Sequence, residues 1–170
     1  DERYEHTVSV CYRCGSLLEP LPLPQFFVRV EGLAKKVLAV LKKKEVVIHG
    51  PGYDKILKHW LTILKDWNIS RQIVWGMRQP VWYSIQDNPT IEVIFLDKEK
   101  QIQRETIQEA LKKYTLEEIK NGLQELRAPV NATYVISETA PSENYLQETD
   151  TFDTWFSSGQ WPIVTLLSHS

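Results

Sequence analysis

Cysteine is scarce in this sequence: among 170 residues there are two, Cys11 and Cys14. A pair of thiols with two residues between them cannot build the multi-bridge framework on which small secreted domains depend. They read either as reduced thiols in a reducing compartment or as half of a metal site. Charge of one sign is also lacking. Twenty Lys and Arg stand against 22 Asp and Glu, for a net charge of −2, so no overall basic field recommends nucleic acid as a partner. A single local basic stripe can still bind RNA. No apolar run approaches the roughly 20 residues of a membrane-spanning helix. The N-terminus lacks the charged-then-apolar layout of a signal peptide, and the expected location is the cytoplasm. There is no glycine-rich phosphate loop, no HExxH and no Gly-x-Ser-x-Gly, nor any internal repeat or low-complexity tract.

What is present is a composition of 42% hydrophobic and 25% charged residues, with six Trp and seven Tyr. These values belong to globular proteins. Each buried aromatic removes roughly 150–250 Å² from water, so a few of them can anchor a core. Both ends read as cut: the chain opens on a charged segment, Asp1 to His6, and stops just after an apolar, Trp-rich stretch.

Along the chain, the motif Cys11-Tyr12-Arg13-Cys14-Gly15 leads into a connector with prolines at 20, 22 and 24. Alternating prolines fix φ and remove backbone donors, so this connector should run extended. Residues 25–30 predict a short strand. Leu33, Ala34, Val37, Leu38 and Leu41 predict an amphipathic helix over 31–44 that ends in three lysines, cations suited to a helix C-terminus. A β-prone run follows at 46–48, then a break at Gly50-Pro51-Gly52. The stripe Ile56, Leu57, Trp60, Leu61 and Leu64 predicts a second helix over 53–66. Its lysines, Lys55, Lys58 and Lys65, read as a solvated face more readily than as an RNA contact. The middle reads as strand, two short helices, strand: a strand at 91–96, a turn at Asp97-Lys98, helices at 105–113 and from Thr115, and a strand at 132–137. Thr115 with Glu118 fits a capping box, and Ile119, Leu123 and Leu126 read as the buried stripe of the helix it starts. Helices interleaved with short strands predict an α/β or α+β piece.

Two longer stretches carry a resemblance. Residues 66–83 read DWNISRQIVWGMRQPVWY, and residues 150–162 read DTFDTWFSSGQWP. The first resembles the DWxISRQxxWG segment of class I aminoacyl-tRNA synthetases of the valine/isoleucine/leucine subgroup. The second is similar to the segment that re-enters their catalytic domain. The stretch from Cys11 through Lys35 also resembles the exit from their inserted editing domain. Ser157-Ser158 and Trp161-Pro162 favour the valyl branch, whereas Gly159 is an isoleucyl-like touch and keeps that branch as the alternative.

The resemblance implies an α/β fold class, as a fragment of a Rossmann-type catalytic domain. Residues 1–24 would be the cysteine-knuckle connector leaving the editing insert, 25–90 the helical and ISRQ-containing part of the catalytic domain, 91–147 a strand-helix insertion, and 148–170 the re-entry. It implies ATP with Mg2+ as cofactors, and valine and valine-accepting tRNA as further partners. It implies that Trp155 walls the amino-acid pocket with Asp153 orienting its turn, and that Ser70, Arg71 and Gln72 lie at the active-site floor near the tRNA acceptor end. Without the resemblance, Trp155 reads as a core aromatic and Arg71 equally as one partner of an internal salt bridge. In zinc-binding relatives the pair matching Cys11 and Cys14 is completed by cysteines upstream. Here His6 is the one further candidate and a fourth ligand is missing, since zinc needs four. No second cysteine pair stands at 83–88, and Gln79 occupies a position where an apolar residue is usual. The family's HIGH and KMSKS signatures are absent, so the chain alone is expected to be inactive. A freestanding tRNA- or protein-binding module and a zinc-knuckle scaffold remain the readings from other classes.

Overall fold

The computed structural model describes residues 7–19 and 21–168. The core occupies the middle of the chain. There, β5 (Glu92–Leu96) is flanked by β6 (Ile102–Thr106) and β7 (Leu123–Arg127) in a three-stranded antiparallel sheet. Two short helices, α3 (Ile107–Ala110) and α4 (Leu116–Gly122), lie between β6 and β7 in the chain. A second three-stranded sheet has β4 (Val81–Ser84) at its centre, between β8 (Val135–Ile136) and β9 (Tyr145–Gln147). Tyr83, Ile91, Val93, Phe95, Ile107, Ile119, Leu126 and Leu146 are fully or nearly fully buried in one cluster shared by both sheets. Burial of such side chains contributes roughly 1.5–3 kcal/mol each. Phe95 is closed in edge-on by Tyr114, with ring centroids 5.1 Å apart.

The N-terminal part is attached more lightly. α1 (Glu31–Lys43) and α2 (Tyr53–Ile63) follow β1 (Phe27–Val28), which pairs with β2 (Trp67–Asn68). α1 ends as its lysines suggest, with Lys44 in the left-handed region at φ 60°. Val46 to Ile48 forms no strand. It lies between that helix cap and the Gly-Pro-Gly break and meets no partner strand. α2 stops at Ile63, three residues short of the expected end. The chain must straighten there so that Asp66 Oδ1 can accept from the Val30 amide at 3.1 Å and β2 can pair with β1. Most of the apolar stripe of α2 is left exposed, Trp60 at 61%.

Two further expectations are corrected. The helix expected over 105–113 is a strand as far as Thr106, which then caps a helix of four residues by accepting from the Glu109 amide. The helix begun by the Thr115–Glu118 capping box does form, and both of the box's hydrogen bonds are present. It stops at Gly122, however, and Leu123 and Leu126 belong to β7. The ladder explains the misreading: Phe95 faces Leu123 while Val93 faces Leu126, with a register shift between them. Such a bulge puts two residues three apart on the same side of a strand and so imitates helical spacing. Gly122 is required at this junction, because a Cβ there would collide with the Leu96 carbonyl.

The architecture is therefore mixed α and β. Every strand pairing among the described residues is antiparallel, and the parallel ladder of a Rossmann-type unit is not among them. No helix among the described residues is long and apolar enough to cross a membrane.

Candidate functional site

The two motif stretches meet. β3 (Ser70–Arg71) pairs antiparallel with β10 (Thr151–Phe152), placing Arg71 opposite Thr151 and Ser70 opposite Phe152. The ladder is extended on both sides: the Asp153 amide donates to the Ile69 carbonyl at 2.9 Å, and the Phe152 amide to the Met77 carbonyl at 2.9 Å. The loop after β3 comes close to β10. Gly76 adopts φ 154°, and a Cβ on it would lie 2.9 Å from the Thr151 Cβ.

Ser70 is buried, and its Oγ accepts from the Phe26 amide at 2.9 Å and from Gln79 Nε2 at 3.0 Å. Arg71 turns its guanidinium onto the protein. Nη1 donates to the carbonyls of Asn68 at 3.2 Å and Ser70 at 2.7 Å, while Nη2 pairs with Asp153 Oδ2. Gln72 donates to Asp150 Oδ2 at 2.7 Å and to Gln25 Oε1 at 3.3 Å. Asp153 is buried and caps α5 (Thr154–Ser158), where its Oδ1 accepts from the Trp155 amide at 2.7 Å. Below α5, Phe156 stacks on Phe152 at 4.6 Å and approaches Trp67 at 6.0 Å. Trp155 projects away from this apolar support and is 77% exposed. It is not a core aromatic of this chain. α6 (Trp161–Ser168) continues the exposed apolar surface through Trp161 and Ile163.

Next to the paired strands lies a cleft of about 590 Å³, with Phe26, Gln72, Tyr83, Tyr134, Glu148 and Asp150 among its walls. Tyr83 donates to Glu148 Oε2 at 2.9 Å, and Glu148 Oε1 accepts from the backbone amides of Thr149 and Asp150. Burial pushes the Glu148 carboxyl above its ordinary range, and burial reinforced by the Glu148 charge pushes the Tyr83 hydroxyl up as well. Asp150 is also raised by burial, with the Gln72 hydrogen bond opposing the shift.

The sequence singles out Ser70, Arg71, Gln72, Asp153 and Trp155, and all five fall in this one region. It gives no role to Gly76, Gln79, Glu148 or Asp150. Gln79 stands out there only as an unusual polar residue. It is buried, its backbone amide donates to the Asp150 carbonyl at 3.0 Å, and its own carbonyl accepts from Gln147 Nε2 at 3.2 Å. Gly76 carries a signal in its place within the ISRQ-type stretch; Glu148 carries none.

Cys11 and Cys14 lie apart from this region, in a tight turn closed by the Cys11 amide on the Ser16 carbonyl and the Gly15 amide on the Cys11 carbonyl, both 2.8 Å. Hydrogen bonding with Ser16 brings the exposed Cys14 thiol down to about 7. Low-pKa thiols are suitable zinc donors. Among the described residues, however, no group of three or more His, Cys, Asp or Glu could hold a metal ion, and His6 lies outside them. The described residues by themselves do not make up a complete zinc site.

The chain is similar to the valine–tRNA ligase of Treponema denticola, 32% identical over 166 residues, and to that of Petrotoga mobilis at the same identity and length. It is 34% identical over 163 residues to valine–tRNA ligase, chloroplastic/mitochondrial 2, of Arabidopsis thaliana. These matches cover 95–98% of this chain but only 14–15% of each relative, so the chain spans about one-seventh of their length. Residues 11–169 match the family model of tRNA synthetases class I (I, L, M and V), a stretch that takes in the cysteine turn, the paired strands and the capped tryptophan, and the chain belongs to that family.

Proposed function

We propose that the chain is a segment of a valine–tRNA ligase, an enzyme that activates valine with ATP and Mg2+ and transfers it to the 3′-terminal ribose of valine-accepting tRNA, in the cytoplasm. In that enzyme residues 1–24 would leave the editing insert, 25–90 and 148–170 would belong to the Rossmann-type catalytic domain, and 91–147 would form an insertion between them. Trp155 would offer a flat apolar wall to the branched side chain, and Ser70, Arg71 and Gln72 would form the floor beneath the acceptor end. An apolar pocket of this kind poorly rejects an isostere carrying one added hydroxyl, a limit for which valyl and isoleucyl synthetases are the standard illustration. Adenylate formation and transfer need alignment and electrostatic stabilisation more than a nucleophile from the protein. That fits a segment that supplies walls and struts.

One observation carries the reading: two motifs about 80 residues apart are joined in a single ladder that presents an exposed indole on a capped turn. In the full-length enzyme, Trp155→Ala should raise the KM for valine by on the order of tenfold or more, as loss of apolar pocket contact does, and leave the KM for ATP unchanged. Equal effects on both substrates in pyrophosphate exchange would count against the pocket role. The 170 residues contain neither HIGH nor KMSKS, so the isolated chain should catalyse no valine-dependent pyrophosphate exchange, and measurable exchange would refute its incompleteness as a site.

A further inference from the structure

The guanidinium of Arg71 is committed within the protein. It spans from the carbonyls of Asn68 and Ser70 to the carboxylate of Asp153, crossing from β3 to the residue that follows β10. The Asp153 side chain is only 8% exposed, whereas that of Arg71 is 39% exposed. The two carboxylate oxygens divide their partners between them, Oδ2 meeting Arg71 and Oδ1 accepting from the Trp155 amide. Removing the cation would leave a charge of low exposure without its partner, a costly arrangement that favours rotation or hydration of the carboxylate. Either change would loosen the cap that sets where the first turn of α5 begins, and with it the direction of the Trp155 indole. The stack of Phe156 on Phe152 holds the other side of that turn but makes no directional bond to it.

We infer that Arg71 is a positioning residue for Trp155, acting through Asp153, and not a contact for the phosphates of the tRNA acceptor end. The inference rests on the pocket role proposed for Trp155. A fork that donates to two backbone carbonyls and a carboxylate is geometrically fixed, and it leaves its cation poorly placed to leave the protein for a mobile ligand. Asp153 then serves as both cap and counter-ion, so the two residues should behave as one unit.

The test uses the full-length enzyme with Arg71→Met, Asp153→Asn, the double variant and Trp155→Ala. Pyrophosphate exchange reads valine activation in the absence of tRNA. Arg71→Met should raise the valine KM in this assay by on the order of tenfold, as a misplaced pocket wall does. Asp153→Asn keeps a capping oxygen but loses the charge, and it should have a similar effect. The double variant should be no worse than the poorer single one, because one coupled pair is removed once. Hydrogen exchange over residues 154–158 should speed up in both single variants. If Arg71→Met leaves valine KM and the exchange of this turn unchanged and raises only the KM for tRNA, the inference is overturned. If Trp155→Ala leaves valine KM unchanged while the turn still loosens in Arg71→Met, the strut stands and the pocket role fails.

Discussion

At the scale of single residues, the site depends on polar side chains that are buried and satisfied. Gln79 is the clearest case. Its Nε2 gives Ser70 Oγ one of that oxygen's two donors, and its main chain ties to Asp150 and Gln147. Leucine would match its bulk but would leave the Ser70 hydroxyl short of a donor in a buried position. The Phe26 amide still donates to that oxygen, so the loss is of one buried hydrogen bond and costs about 0.5–1.5 kcal/mol. Gln79→Leu should therefore lower the urea midpoint of the chain by that equivalent at unchanged m-value; an unchanged midpoint would mean that Ser70 finds another partner. The residues of the site were legible in the sequence because they lie inside long motifs built from uncommon residues. Their bonding was not, since nothing local states that Arg71 meets a carboxylate 82 positions away. Glu148 was invisible for a related reason: its importance arises only when Tyr83 is folded against it.

Among the elements, the short helix α4 shows how local chemistry sets a boundary. Thr115 and Glu118 exchange hydrogen bonds at its start, and Glu118 is also paired with Lys98 from the turn after β5. These contacts hold the Glu118 carboxyl down at about 2, from an ordinary 4.5. A carboxyl lowered on folding adds stability above its unfolded value, and that contribution is lost as pH falls towards the folded one. Glu148, raised by burial, works in the opposite sense, because its contribution is lost as pH rises. Comparing the chain with Glu118→Gln isolates the first effect. The stability difference between them, measured by urea unfolding, should shrink as pH falls from above 4.5 towards 2, and a constant difference would show that the ion pair with Lys98 is inert. The start of this helix was readable from four residues, as was α1 from its apolar spacing. Its end was not, because the bulge facing β5 gives Leu123 and Leu126 a separation that belongs equally well to a helix.

Taken whole, the molecule is unevenly built. The cluster around Phe95 and Ile107 is closed off from water, whereas α2 and α6 contribute no buried residue. Amide exchange of the chain should follow that contrast, slowest in β4 and β5 and fastest in α2 and α6; uniform protection would mean that the outlying helices are held by more than the contacts described. The same unevenness explains why the apolar stripe of α2 predicted a helix correctly but could not tell that its surface would be left open. The ladder between β3 and β10 carries a consequence for how the protein must assemble. Its two strands are short, and bringing together ends some 80 residues apart costs entropy that two residue pairs do not offset. The sheet around β4 shortens that journey, since β9 returns beside β4 and delivers Thr151 to Arg71 almost ready-made. The middle of the chain is thus a hasp: a lesion there would be felt first as a pairing of β3 with β10 that fails to close.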